Sequence, residues 1–403
     1  MQLNNRSRSD ASTNSARPQG LHSWRVLDLF RYATSPMLIR AAIAVAIAWV
    51  PPATLSAFRG QEALLSFLTD FASQSRFLII IPVLILGERP LHARYALVAH
   101  HFEMSLVANN EQSRFQSQWR SYENLKDSTV VRVLLALVTV ALAAWLSEYL
   151  HAEGSEFLYW WKGGGGFSFF SLAGTWAIFV SYPILVYLTL VWIWRQIIWS
   201  RFLRSTTLLN LRLIAVHPDH LGGMGFLEAS LLGQLPFSFC LGVGLAGAIA
   251  NRVFYEGQKV LAYRFLAPIL IAAALLISVA PYFLFTPTLM QMRRRGMLKY
   301  GSLARAVGEQ FEQKWLDRED SLTKDVLAVP DFTATGNLYG VARNIEEIRI
   351  VPVAKINVYL FVIAALIPFI PVVIGAIPQR STDARVVRVR RLESVVVPLS
   401  GKG

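Results

Sequence analysis

The sequence predicts an all-α fold: a polytopic transmembrane helical bundle of about seven spans with helical cytoplasmic loops. Three observations predict it. First, 54% of the 403 residues are hydrophobic and only 16% are charged, whereas soluble domains carry about a quarter of their residues charged. Second, seven apolar runs alternate with polar segments, and most are long enough to cross a bilayer. Third, the basic residues collect in alternate connecting segments, which is how a membrane protein sets its orientation.

A helix rises about 1.5 Å per residue, so a hydrocarbon core of about 30 Å takes about 20 apolar residues. Spans are expected near residues 37–58, 64–87, 130–150, 169–194, 226–250, 265–287 and 353–377. The first carries Arg40 near its start and Pro51-Pro52 near its end. The second has a short apolar centre, Phe77–Gly87. It reaches spanning length only if Leu64–Arg76 contributes, which puts Asp70 and Arg76 near an interface. The seventh contains Pro368 and Pro371. A re-entrant hairpin there, or a second run that does not cross, are the alternatives to seven spans. Residues 1–36 read as a polar tail and 378–403 as a basic one. The first apolar run begins too late for a cleavable signal peptide and is expected to stay as an anchor.

Residues 1–36, 88–132, 195–225 and 288–352 hold 25 Lys and Arg, against 6 in residues 59–76, 150–169 and 251–264. The positive-inside rule therefore places the N-terminus and the three large loops in the cytoplasm. Seven spans then put the C-terminal tail outside, although Arg380, Arg385, Arg388, Arg390 and Arg391 make it basic. The net charge of +13 is accounted for by this loop bias, so nucleic acid is not an expected partner. Trp160, Trp161, Trp192, Trp194 and Trp199 fall at span ends, where indole rings anchor at the headgroup level. Leu91–Glu123 and Leu303–Asp320 mix charged and apolar residues and are expected as amphipathic helices beneath the membrane. No inverted repeat of the transporter kind is present in the sequence. The single cysteine, Cys240, excludes an intrachain disulfide and a two-cysteine metal site.

The densest polar cluster is His217-Pro218-Asp219-His220-Leu221-Gly222-Gly223. Imidazole and carboxylate both bind zinc, so His217, Asp219 and His220 are the metal candidates. The segment resembles the tail of the metallo-β-lactamase signature, H-x-H-x-D-H-x-G-G, but the first histidine falls on Ala215. Alternatively, Pro218 and the paired glycines form a turn, with Asp219 capping backbone N–H groups. Gly242, Gly244 and Gly247 match G-x-G-x-x-G inside an apolar helix, where small residues let another helix approach. Gly163–Gly166 lacks the Lys-Ser/Thr of a phosphate loop and reads as a hinge. Glu88, Asp70, Arg195 and Glu228 stand near span ends. Gln234 and Ser238, one helical turn apart, are expected to share a face that lines a polar path or binds a neighbouring helix.

Several segments together carry a likeness. They are Ser75-Arg76-Phe77-Leu78-Ile79-Ile80-Ile81-Pro82 with Glu88, Trp192-Ile193-Trp194-Arg195, His217–Phe226, Phe311-Glu312-Gln313-Lys314-Trp315 and Pro368-Phe369-Ile370-Pro371. In this order they resemble an uncharacterised family of bacterial multi-pass inner-membrane proteins, over Trp49–Pro378. The resemblance implies topology and a bacterial inner membrane, and it carries no activity. In that family the position of His220 is often arginine, which leaves His217 and Asp219 as the sharper pair. The function expected is that of a transporter or channel-like protein. The alternatives are a non-catalytic scaffold or sensor engaging a cytoplasmic partner, and a membrane-embedded enzyme using His217 and Asp219. Ligand or ion candidates are His217, Asp219, His220, Gln234, Ser238, Arg195 and Glu228, with no catalytic residue and no cofactor assigned. The expected partners are the lipid bilayer, a cytoplasmic protein and a second copy of the chain.

Overall fold

Apolar runs in lipid must close their backbone hydrogen bonds internally, and here they do so as helices. The computed structural model describes residues 35–153, 159–163, 170–315 and 330–376. Among these there is no strand, only the isolated bridges Val107–Leu211 and Lys162–Phe170. Five helices are long and apolar enough to cross a membrane, or up to seven when two bent pairs are each counted as a span. The tails, Gly164–Gly166 of the glycine run and residues 316–320 lie outside the described residues.

The first span is α1, Ser35–Arg59, with Pro51 and Pro52 inside it. The second differs from expectation. Gln61–Leu68 is a separate short helix, α2, and the span proper is α3, Phe71–Leu106. The break comes at Asp70, whose carboxylate accepts from the Ser73 N–H at 3.2 Å and caps α3. A side chain that competes for backbone donors starts a helix and cannot sit mid-span at low cost. Asp70 thus stands at the end of the span, and its side chain is buried in protein, 1% exposed. It also accepts from Trp160 Nε1 at 3.2 Å and Asn251 Nδ2 at 2.7 Å. Arg76 donates to the Tyr182 hydroxyl at 3.0 Å.

Next come α4, Gln112–Asp127, and α5, Thr129–Glu153, the two bent by 42°. The fourth span is α6, Leu172–Thr207, and the fifth is α7, Gly225–Tyr255, interrupted at Gly233-Gln234. The sixth is α8, Val260–Lys314, which runs for 55 residues. After α9, Pro330–Glu346, the seventh run forms α10, Lys355–Leu366, and α11, Phe369–Ala376. These two are bent by 49°, where Pro368 lacks an N–H to continue the ladder. The pair is therefore a broken span or a re-entrant segment, the two forms such a bend takes.

α3 and α6 each have 36 residues, a rise of about 54 Å against a hydrocarbon core of about 30 Å. Their polar halves follow Glu88 and Arg195, so both project beyond the apolar zone at that end. The latter part of α8 and the segment between α6 and α7 join them there. This extension holds the densest aromatic packing: Tyr95 stacks on Trp199 with centroids 4.0 Å apart and planes at 4°, and Phe102, Phe115, Phe202 and Phe285 are buried around them. Within the apolar zone, Val130, Leu137 and Val140 of α5 and Ile269 and Leu276 of α8 are exposed, as apolar side chains on a lipid-facing surface would be. α3 and α7 form the centre, with 50% and 56% of their apolar stretches covered by other helices, against 22% for α1.

The tryptophans are a second correction. Trp160, Trp161, Trp192 and Trp199 are buried, and Trp194 is half-buried with its Nε1 donating to Leu125 O at 3.3 Å. Their large rings fill the space between helices, where each buries a large apolar area. Gly242 does meet a neighbouring helix: a Cβ there would overlap the Ala365 carbonyl, so α7 and α10 pack backbone to backbone.

Candidate functional site

Between the end of α6 at Thr207 and the start of α7 at Gly225 the chain forms no regular element. Pro218 and the glycines prevent one. His220 adopts φ 54°, Gly222 68° and Gly223 96°; this left-handed region costs a side chain but suits glycine. The turn wraps around the Asp219 carboxylate. Its oxygens accept from the backbone N–H groups of Leu221 at 2.8 Å, Gly223 at 3.1 Å and Gly225 at 2.8 Å. His217 Nδ1 lies 2.8 Å from Asp219 Oδ1. Partial burial by itself raises the Asp219 pKa, but the backbone donors and His217 together outweigh it and hold the group below its ordinary value.

The turn forms one wall of a cavity of about 650 Å³. His101 and Ser105 come from the end of α3, Arg212, His217, Asp219 and His220 from the turn, and Phe226 and Glu228 from the head of α7. Arg349 closes it from the α9–α10 linker. Arg212 is drawn in by a backbone bond from its N–H to Leu106 O at 2.7 Å. Its Nη2 donates to Val107 O at 3.1 Å and Asn109 Oδ1 at 2.6 Å. The His101 ring stacks on Phe226, centroids 5.2 Å apart. Glu228 Oε1 lies 2.9 Å from Arg349 Nη1, and Oε2 accepts from Asn357 Nδ2 of α10 at 3.3 Å. Arg349 also donates its N–H to His220 O at 2.9 Å and Nη2 to Asp219 O at 3.2 Å. One arginine thus ties the turn, the head of α7 and the approach to the last helices.

Of the seven candidates, His217, Asp219, His220 and Glu228 meet at this cavity, and three do not. Arg195 pairs with Glu88, joining α6 to α3. Gln234 sits on the break in α7 and donates to the Tyr95 hydroxyl at 3.0 Å and to Gln196 Oε1. Ser238 donates to Phe361 O of α10 at 2.8 Å. Gln234 is the N-cap residue of the helix that carries Ser238, and its C=O accepts the Ser238 N–H at 3.1 Å, so the two lie one turn apart. Of the two roles expected for them, each side chain takes the second and bonds a neighbouring helix, Gln234 reaching α3 and α6 and Ser238 reaching α10. No three His, Cys, Asp or Glu side chains converge as a metal ligand set among the described residues. The lone pairs of Asp219 point at backbone donors, and His220 Nδ1 is 3.4 Å from Asn344 O.

His101, Arg212 and Arg349 were not legible as site residues. They belong to no motif, and Arg349 meets Glu228 across 121 residues of chain. No family model, curated protein or solved structure matches this chain.

Proposed function

We propose that this membrane protein is a sensor or scaffold of a bacterial inner membrane, with its N-terminus and the projecting extension in the cytoplasm. The loop charge bias supports the orientation, and the resemblance to uncharacterised bacterial inner-membrane proteins supports the location. A ligand or protein partner engages the cavity at the head of α7, and its occupancy biases the bent pair α10–α11. One observation carries this reading. Glu228, in the cavity wall, is bonded both to Arg349 in the linker and to Asn357 in the first turn of α10. A site can influence a distant element only through contacts that differ between two arrangements, and these bonds are the direct link through which such a difference would reach α10.

The single cysteine is buried, so an added one is labelled selectively. An environment-sensitive dye on Val373→Cys should change its emission when Arg349→Ala cuts the tie. Unchanged emission in a folded variant would sink the coupling. A photocrosslinker at Ser105 should capture a reproducible cytoplasmic partner in native membranes.

A transporter or channel-like role is the second reading. It is favoured by the bend between α10 and α11 against the central helix α7, since interrupted helices build many transport sites. Liposome flux no greater than that of empty vesicles across a broad solute panel would remove it. An enzyme using His217 and Asp219 has less support, because the carboxylate is already committed to the turn.

A further inference from the structure

We infer that the cavity at the head of α7 binds an oxyanion, a phosphate-bearing small molecule or headgroup, on Arg212 and the imidazoles of His101 and His217. The inference rests on reading that cavity as the ligand site, and it assigns the ligand's chemistry.

Four formal charges line the cavity, two of each sign, and they are not equally available. The Asp219 oxygens are taken up by the backbone N–H groups of Leu221, Gly223 and Gly225 and face His217. Glu228 is neutralised by Arg349 and Asn357. Those pairs also consume Arg349. Arg212 is different. Its partners, Val107 O and Asn109 Oδ1, are neutral acceptors reached through Nη2 alone, so Nε and Nη1 have no acceptor among the described residues. A guanidinium's planar fork matches the geometry of a phosphate or carboxylate and prefers two parallel bonds to it. Around this uncompensated cation stand imidazoles. His101 is held flat by Phe226, and His217 has Nδ1 turned to Asp219, which directs Nε2 away from that carboxylate. A neutral imidazole has one N–H, and the ring of His217 offers it to an anion at Nε2 when Nδ1 accepts from the Asp219 N–H, 3.4 Å away.

The volume of about 650 Å³ lies within the range of cavities that enclose small organic ligands. Leu106, Ile214 and Phe226 supply an apolar wall for the remainder of the molecule. A cation as ligand is disfavoured, because both carboxylates are spoken for.

The test uses the full-length protein in detergent micelles and in nanodiscs. Inorganic phosphate, glycerol phosphate and phosphatidic acid are titrated by calorimetry and by thermal shift. Saturable binding of at least one is expected. Arg212→Gln should weaken it tenfold or more. Because Arg212 also steadies its own segment, a second variant is needed. Ser105 lines the same mouth and is exposed, so Ser105→Asp adds a carboxylate there and should weaken binding to a similar degree without loss of thermal stability. Binding of the two soluble phosphates would assign a soluble ligand, and binding of phosphatidic acid alone would assign a lipid headgroup; either supports the inference. No saturable binding of any probe, or binding unchanged by both variants, overturns it. If the probes fail while a partner is still captured at Ser105, the oxyanion falls and the sensor reading stands. If phosphate binds but neither ligand nor variant alters the dye on the last helices, the sensor reading falls and the anion site stands.

Discussion

Asp219 shows how one side chain can define a loop. Three backbone N–H groups that no helix or sheet satisfies point at its two oxygens, and unmet buried donors are costly. Asp219→Asn keeps the size but turns an amide N–H₂ toward at least one donor. It should destabilise the protein by about 1–3 kcal/mol, read as a lowered melting temperature in micelles. The pH dependence has a definite sign. The folded pKa lies below the unfolded value, so the stabilisation is fully present above the unfolded value of about 3.9 and is lost as pH falls through the folded value. Wild-type melting temperature should therefore drop on acidification below about pH 4, and the Asn variant should lose this part of the drop. An equal drop in both would remove the charge from the account. The turn at residues 217–223 was legible because proline, aspartate and paired glycines are local signals. The commitment of the carboxylate to the backbone was not, since it depends on where three N–H groups point.

At the scale of the helix, α7 carries the clearest test. Gly242 touches the backbone of Ala365, whereas a Cβ on Gly244 would meet only Ile80 Cδ1 at 3.4 Å, an ordinary contact. Gly242→Ala must push α7 and α10 apart and should cost about 1–3 kcal/mol. Gly244→Ala, two residues away in the same motif, should be near neutral in the same melting assay. Equal effects would mean that the glycines act through helix propensity and not through the seam. The glycine pattern itself was readable, but which glycine carries the contact was not, because that depends on the rotation of α7 against its neighbour. Helix lengths show a similar limit. The apolar runs marked where lipid ends near Glu88 and Arg195, but α3 and α6 continue to Leu106 and Thr207. Charge stops a membrane span without stopping a helix, since an amphipathic helix continues in water when its apolar face finds a partner.

For the molecule as a whole, orientation is the open measurement. Leu298 on the projecting part of α8 and Leu261 at its opposite end are both well exposed. With Cys240 buried, Leu298→Cys should react with an impermeant maleimide in inverted vesicles only, and Leu261→Cys in intact cells only. The reverse pattern would invert the topology and place the cavity outside the cytoplasm. The packing places a buried aromatic cluster in the extension, around Tyr95, Trp199 and Tyr282. In water the hydrophobic effect drives such burial, whereas lipid offers apolar side chains no comparable reason to leave it. Tryptophans near span ends therefore became core residues where helices met, and Trp145, on the peripheral α5, remained exposed.

The amino-acid sequence by itself determined the helical class and the number and order of the apolar runs. Hydropathy and backbone hydrogen bonding act over about twenty neighbouring residues, and an apolar run of that length satisfies its backbone in lipid as a helix. Tertiary structure alone decided that Arg212, His101 and Arg349 converge on His217 and Glu228, that Asp70 caps a helix, and that Gln234 and Ser238 bond different neighbouring helices. Those outcomes depend on the relative rotation and depth of helices brought together across the chain, which no local pattern encodes.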